Sequence, residues 1–357
     1  MALLSGVALP TVLSAKSFPV TFSTDSPNKG MATGGLVRSV RLLATQHRCL
    51  ATSAAAAPRI SEEKVKQFEE DGAAVVRGFF SSDLIEQLRE AAEENMKDPG
   101  PLCDEHVESG KPGRFHDDQF LWMRSEVMKR FIFDSPAAEI ARRMKITASD
   151  LVRVGSIRAH NVAPKLILSH FGYRANEVRL FYDQLFVKEP GTETTTPWHN
   201  DHSYWPLKGN QIISVWLALD YVPKSNCVQY VKGSHKWKLV HKLKSFSGDA
   251  ERYKAANMTD LPPLPDIDSI LDKVELLSWD LEPGDCLVHH SFAVHGAPGI
   301  SSTSNRRRAY ATRWVGDAVR YDPRPGTMEF LWRSKANLDP KLSTGSPMES
   351  ELFPLVP

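Results

Sequence analysis

The feature that most constrains the fold is a change in residue composition and pattern near residue 178. From there on, short runs rich in β-branched, aromatic and other apolar residues are separated by Pro, Gly and Asn, which is typical of short β-strands joined by turns. Several of these runs are apolar on both faces, as expected for a sheet covered on both sides. The predicted strands span residues 178–188, 211–222, 226–231, 286–290 and 307–315.

The part of the chain before this change predicts mostly helices. Ser61 is a suitable N-cap, and Val65 and Phe68 provide an apolar face until Asp71-Gly72 ends the helix. A strand then follows, and a second amphipathic helix starts after Ser81. The remaining predictions are a strand at 73–80, a helix to about residue 96, a loop at 97–120 and a helix from residues 135–136.

Helices followed by short strands predict an α+β fold with N-terminal and flanking helices, whose core is either a β-sandwich or a double-stranded β-helix (jelly-roll, cupin-like). We expect residues 60–357 to form one domain. With 41% apolar and 24% charged residues and a net charge of +1, the 357-residue chain gives no reason to expect a nucleic-acid partner. It contains no run of 18 apolar residues, which argues against integral membrane association.

The first 59 residues differ from the rest in composition. They contain six Lys or Arg residues against the single acid Asp25, and they are rich in Ser, Thr and Ala. This composition predicts an organellar transit peptide, with mitochondria as the first choice and peroxisomes as the rival. The alternative interpretation, without a targeting function, is a disordered N-terminal tail.

The strongest chemical signal is the segment Pro197-Trp-His-Asn-Asp-His. His199 and Asp201 are two residues apart, so on an extended strand both side chains point to the same face. An imidazole and a carboxylate presented together form two thirds of a 2-His-1-carboxylate facial triad, which leaves iron positions open for a co-substrate and O2. His202 has the opposite parity and should point away.

A third ligand and an anion-binding arginine come later in the chain. The segment 282–298 presents His295, and the following Gly296 permits a close backbone approach. Twelve residues after His295 comes Arg307, which shares a predicted strand face with small residues and Arg313. A guanidinium there suits the distal carboxylate of a dicarboxylate co-substrate. His290 stays open as an alternative ligand, and Arg306 or Arg313 as alternative carboxylate-binding residues.

The order His-x-Asp, distal His-Gly and Arg resembles the phytanoyl-CoA dioxygenase family of 2-oxoglutarate-dependent oxygenases. Further likenesses are the Gly-x-x-Val-Val-x-Gly-Phe pattern at 72–79, Trp216 in Ser-Val-Trp-Leu-Ala-Leu, and Val-Lys-Gly-Ser-His at 231–235. The resemblance runs from about residue 62 to residue 325. Two departures are Ala297, where the family often has serine, and the extra stretch at 145–176.

The resemblance implies a metal site of His199, Asp201 and His295 that carries Fe(II), with 2-oxoglutarate held near Arg307 and Trp216. It implies hydroxylation of a substrate C–H bond by O2 with release of succinate and CO2. Halogenating relatives have a small residue in place of the carboxylate, so Asp201 favours hydroxylation. The expected substrate is a small molecule, an acyl-CoA or another lipid-like metabolite. The alternatives are a non-catalytic β-helix binding module and a zinc site built from the same residue types.

Overall fold

A computed structural model describes most of the chain after the N-terminal segment. The described residues are 59–107, 110–145, 177–245, 260–300 and 305–357. The extra stretch at 145–176 lies outside the described residues except for Lys145, and nearly all of the predicted transit peptide lies outside them as well. The boundary predicted between residues 59 and 60 stays a prediction.

The described residues form five α-helices, and the predicted caps begin the first two. The hydroxyl oxygen of Ser61 accepts a hydrogen bond from the Lys64 amide, and Gly72 ends the first helix with a φ of 82°. No described helix is both long enough and apolar enough to cross a membrane. The helices are α1 (Glu62–Asp71), α2 (Ser82–Lys97), α3 (Glu126–Asp134), α4 (Ala137–Lys145) and α5 (Glu329–Ala336).

Fourteen strands make up the sheets of the described residues. They are β1 (Ala73–Val76), β2 (Asp104–Glu105), β3 (Phe115–Gln119), β4 (Val178–Lys188), β5 (Thr196–His199), β6 (Leu207–Lys208), β7 (Ile212–Ala218), β8 (Gln229–Val231), β9 (Leu276–Leu277), β10 (Cys286–His290), β11 (His295–Ala297), β12 (Arg307–Gly316), β13 (Arg320–Tyr321) and β14 (Leu355–Val356). The major sheet has the order β1-β10-β7-β12-β4-β3-β2, with β14 also paired to β4, and the minor sheet has the order β5-β11-β8-β9.

The major sheet is buried on both faces. Ala309 and Ala311 of β12 face a core shared with Tyr230 of the minor sheet. Tyr310 and Trp314 of the same strand belong to a second core, which contains apolar residues of α1, α2, α3 and α4. Packing on both faces explains why β12 is buried along almost its whole length. The predicted α+β fold with a jelly-roll core is confirmed.

Three local predictions need correction. Residues 97–120 are not entirely loop, because β3 lies there and pairs with β4. The sequence Phe-His-Asp-Asp-Gln lacks the apolar alternation that marks a strand. Side-chain hydrogen bonds stabilise the strand instead: Asp118 accepts hydrogen bonds from the Asn95 side chain at 2.7 Å and from the Gly100 amide at 2.6 Å. The strand predicted at 73–80 ends at Val76, shortly before Gly78 with its φ of 74°. Helix α3 was not predicted.

The C-terminal helix α5 packs against the strands that carry the cavity described below. Trp332 is fully buried, and its ring lies 5.2 Å from the ring of Phe120 and 5.4 Å from that of Phe181. Its indole N–H donates to the side-chain oxygen of Gln119 at 3.0 Å. On the same helix, Phe330 is 69% exposed.

We predict that Trp332→Ala lowers the free energy of unfolding by about 3–5 kcal/mol, because it removes a large buried aromatic and leaves a cavity. Phe330→Ala is the matched control and should change stability by less than about 0.5 kcal/mol, since its ring is exposed. Chemical denaturation of both variants measures the difference. Equal effects would contradict the packing of α5.

Candidate metal centre

Two paired strands of the minor sheet place the histidines. His295 of β11 lies directly opposite His199 of β5, and the two ring centroids are 4.2 Å apart. Strand β5 ends at His199, so Asp201 opens a 3-10 turn and does not lie on a strand as predicted. Asn200 between them keeps an extended backbone (φ −119°, ψ 148°). The two side chains therefore still face the same site.

The three predicted ligands converge. One carboxylate oxygen of Asp201, Oδ1, lies 3.5 Å from His199 Nε2 and 3.8 Å from His295 Nε2. One ligand atom from each residue lies within 4.8 Å of the others, and all three side chains are buried. This arrangement brings two imidazole nitrogens and one carboxylate oxygen around a common point.

Backbone hydrogen bonds set the orientation of both imidazoles. His199 Nδ1 lies 2.8 Å from the carbonyl of Pro197, and His295 Nδ1 lies 2.9 Å from the carbonyl of Ala293. A carbonyl only accepts, so Nδ1 donates in each case and Nε2 is the atom turned toward Asp201. Burial, followed by the nearby His199, holds the pKa of His295 well below its usual range. His295 is therefore neutral at pH 7, as a metal ligand must be.

Ser214 and His289 hold the carboxylate, and Tyr230 supports His289. Asp201 Oδ2 accepts a hydrogen bond from the Ser214 hydroxyl at 3.1 Å and from His289 Nε2 at 3.2 Å. His289 Nδ1 in turn accepts from the hydroxyl of Tyr230 at 3.1 Å. Burial raises the pKa of the Asp201 carboxyl, but the interactions with His199, His289 and His295 outweigh it and hold that pKa well below the usual range. The site therefore presents an ionised carboxylate.

Strand alternation in β10 would have identified His289. Leu287 belongs to the core between the two sheets, while Cys286 and Val288 belong to the core on the helical side. His289 shares parity with Leu287 and so faces the site. His290 has the opposite parity, and the structure does not bring it to the three converging residues, which argues against it as the ligand.

His202 points away from the site, as predicted. Its ring stacks on that of Phe292 at a centroid distance of 3.8 Å, and its Nδ1 lies 3.4 Å from the Ser291 hydroxyl. Burial, with the nearby Arg324 and His290, lowers the pKa of His202 to about 3. The side chain is therefore a neutral, packed residue.

A cavity of about 120 Å3 adjoins the three residues. Its lining includes both Arg307 and Arg313 from one face of β12, as the predicted alternation requires. Arg306 lies elsewhere, in ion pairs with Glu93 and Glu189. Aromatic side chains form much of the remaining wall: Phe115, Tyr182, Phe186, Tyr204, Trp205 and Trp216.

Arg307 provides a positive charge at one end of β12. Its guanidinium donates to the Asn226 carbonyl at 2.5 Å and lies 6.0 Å from the centre of the Trp216 ring. Burial lowers its pKa to about 10, so it stays charged at neutral pH. Opposite it on β4, burial lowers the pKa of Lys188 to about 6, with Arg307 adding to the effect. At neutral pH, Arg307 is therefore the cation at this end.

A second cluster of potential ligands lies outside this site. Atoms of Cys103, Glu105 and His116 come within 4.8 Å of one another. The Arg114 guanidinium already donates to Glu105 at 2.7 Å and lies 3.4 Å from His116 Nδ1, where a metal would have to compete with it. Burial and the surrounding carboxylates raise the pKa of the Cys103 thiol to about 12. This cluster therefore has the features of a hydrogen-bonded ion pair, without a thiolate ligand at neutral pH.

The donor set at His199, Asp201 and His295 fits Fe(II). Two imidazole nitrogens and one carboxylate oxygen on one side of an ion leave other positions open, which is characteristic of non-haem iron oxygenases that bind a co-substrate and O2. The bonds to Nδ1 of each histidine and to Oδ2 of the carboxylate orient the three ligand atoms in advance. Fe(II) and 2-oxoglutarate are the metal and co-substrate that this site and the similar proteins below have in common.

Comparisons with known proteins agree with this chemistry. The chain is 21% identical to peroxisomal phytanoyl-CoA dioxygenase of Rattus norvegicus over 276 residues, which is 76% of this chain and 72% of the relative. Among solved structures it is similar to the non-haem α-ketoglutarate-dependent carbocyclase SnoK from nogalamycin biosynthesis (TM-score 0.58, 21% identity, covering 84% and 97% of the two chains). A complex of the epimerase SnoN with Fe3+, α-ketoglutarate and nogalamycin RO gives a TM-score of 0.58 at 19% identity, covering 82% and 97%.

The sequence profile of the family described as phytanoyl-CoA dioxygenase (PhyH) matches residues 68–309. That span is more than half of the chain, and it contains the three converging residues, Trp216 and Arg307. This chain therefore belongs to the phytanoyl-CoA dioxygenase family and is a 2-oxoglutarate-dependent non-haem iron dioxygenase.

Proposed function

We propose that this chain hydroxylates a C–H bond of a small molecule, an acyl-CoA or another lipid-like metabolite. One substrate, one 2-oxoglutarate and one O2 would yield the hydroxylated product, succinate and CO2. The observation that carries the proposal is the buried set of His199, Asp201 and His295 at the wall of a cavity that also contains Arg307. A non-catalytic binding module has no physical need for these four residues together.

Each residue of the site has a defined task in this proposal. His199, Asp201 and His295 hold the iron, which when bound supplies the activation of O2 coupled to decarboxylation of 2-oxoglutarate. Ser214 and His289 fix the second carboxylate oxygen, so that Oδ1 remains directed at the histidines. The aromatic wall excludes water from the reacting C–H bond.

Arg307 and Trp216 are proposed to hold 2-oxoglutarate. The charged guanidinium has no carboxylate oxygen within 4 Å among the described residues, and it lies beside the Trp216 ring. A planar guanidinium can hold a carboxylate through two parallel hydrogen bonds. Ala297, which lines the same cavity, contributes no hydroxyl to this contact.

We predict that Asp201→Ala abolishes release of succinate from 2-oxoglutarate, because it removes a metal ligand. His202→Ala is the matched control one residue away and should retain most of the turnover, since its ring packs on Phe292 outside the site. Turnover is measured with and without added iron, using pooled metabolites as substrates. Iron-independent turnover, or equal loss in two folded variants, would contradict the assignment.

Arg307→Ala should raise the 2-oxoglutarate concentration needed for half-maximal turnover about 10- to 150-fold, the equivalent of roughly 1.5–3 kcal/mol for a charged hydrogen bond. Arg307→Lys should rescue this only in part, because an ammonium lacks the planar fork. Arg306→Ala is the control at the preceding residue, since Arg306 pairs with Glu93 and Glu189 outside the cavity. An unchanged requirement in Arg307→Ala would exclude Arg307 as the binding residue.

The compartment is the final part of the proposal. The rat relative is named as peroxisomal, which favours the rival address over the mitochondrial one predicted from composition. We propose that residues 1–60 carry an organellar address. A fusion of these residues to a fluorescent protein should reach peroxisomes if the relative's compartment is shared, or mitochondria if the transit-peptide prediction is right. A diffuse cytosolic signal would defeat both.

A further inference from the structure

A second buried arginine lines the cavity and has no role in the function proposed so far. Arg313 lies on the same face of β12 as Arg307, six residues further along the strand, and is 5% exposed. At a strand rise of about 3.3 Å per residue, the two positions are about 20 Å apart. This is the separation of the two backbone positions; both side chains line the cavity, so two arginines contribute positive charge to it.

The described residues leave the charge of Arg313 without a counter-ion. Its Nη1 is 3.3 Å from the Ala311 carbonyl, and the guanidinium lies 4.7 Å from the centre of the Tyr182 ring. Among the described residues, its Nε has no hydrogen-bond partner and no carboxylate oxygen lies within 4 Å of it. Arg308 on the opposite face of the same strand, by contrast, pairs with both Asp220 and Glu93.

The acidic residues that line the cavity have other partners, and one of them, Asp104, pairs with Lys335. Asp117 accepts from Gln184 at 3.0 Å and contacts His106, and Asp201 belongs to the metal centre. A guanidinium does not lose its charge at any physiological pH, so its burial without an anion is costly. A ligand that brings an anion into the cavity would remove that cost.

The position of Arg313 indicates where that anion sits. Arg313 is the cross-strand neighbour of Ser214, whose hydroxyl bonds Asp201. It is therefore close to the metal centre, at the end of the strand opposite to Arg307. In an acyl-CoA, the phosphates are separated from the acyl chain by the long pantetheine arm, so they would not reach a residue beside the reacting carbon. A carboxylate within a few carbons of the oxidised position would reach it.

Resting on the proposed function, we propose that Arg313 binds a carboxylate of the primary substrate, which is a free carboxylic acid and not its thioester. Arg307 then serves the co-substrate and Arg313 the substrate, one guanidinium for each anion. The aromatic rings of Tyr182 and Phe186 on either side of Arg313 would keep this contact shielded from water.

The test uses the holoenzyme prepared without O2 from Fe(II) and 2-oxoglutarate, whose visible charge-transfer band reports ligands that enter the cavity. The probes are straight-chain acids from butanoate to hexadecanoate, each paired with its primary amide and its coenzyme A thioester. At least one acid should bind the wild type about tenfold or more tightly than its amide and its thioester. Arg313→Gln should abolish this preference while 2-oxoglutarate affinity stays unchanged, and Arg306→Gln should preserve it.

Several outcomes would overturn the proposal. Equal binding of every acid and its amide would exclude a carboxylate contact, and tighter binding of the thioesters would point to the coenzyme A phosphates. Weakened 2-oxoglutarate binding in Arg313→Gln would make Arg313 the residue that holds the co-substrate. Failure of the underlying function is distinguishable, because the wild-type protein would then show no charge-transfer band at all.

Discussion

His295 and His199 stand opposite each other in the antiparallel pair of β11 and β5, and the site depends on this pairing. It places two imidazoles side by side before any metal binds. The close approach of the two strands requires glycine directly after His295. A Cβ on Gly296 would lie 3.0 Å from the Thr196 carbonyl oxygen and 3.2 Å from the Trp198 ring. The sequence pair His-Gly thus has a steric reason as well as a chemical one.

The surrounding residues convert this pairing into a site of defined charge. The chain from Tyr230 through His289 to Asp201 fixes one carboxylate oxygen and leaves the other facing the histidines. Arg307 and Arg313 also line the cavity, and neither forms an ion pair with a described residue. A cavity with one anionic metal site and two separated guanidinium groups is complementary to iron and to two different anions.

Many features of the fold and of the site could be predicted from the sequence, because they depend on local sequence patterns. Capping residues, residue spacing and strand alternation predict three kinds of feature. These are the caps at Ser61 and Ser81, the limits of β4 and β10, and the convergence of His199 with Asp201. Asp201 converges with His199 for a partly different reason than the one predicted, since an extended Asn200 takes the place of a continuous strand. The His-Gly pair pointed to His295, and the family resemblance connected it with a partner strand almost a hundred residues away.

Other features could not be predicted, because they depend on pairing between distant segments. Strand β3 is rich in polar residues and is recognisable only from its partner β4 and the bonds to Asp118. The choice between Arg306 and Arg307 depends on strand register, which the ion pairs of Arg306 with Glu93 and Glu189 reveal. The role of His289 required knowing which face of β10 looks inward.

The most direct test of this account is anomalous scattering at the iron absorption edge, from crystals grown without O2 in the presence of Fe(II) and 2-oxoglutarate. The account predicts an iron peak bound by His199 Nε2, Asp201 Oδ1 and His295 Nε2, with 2-oxoglutarate extending from it to Arg307. An iron peak at Cys103, Glu105 and His116 instead, or iron bound without His295, would contradict it.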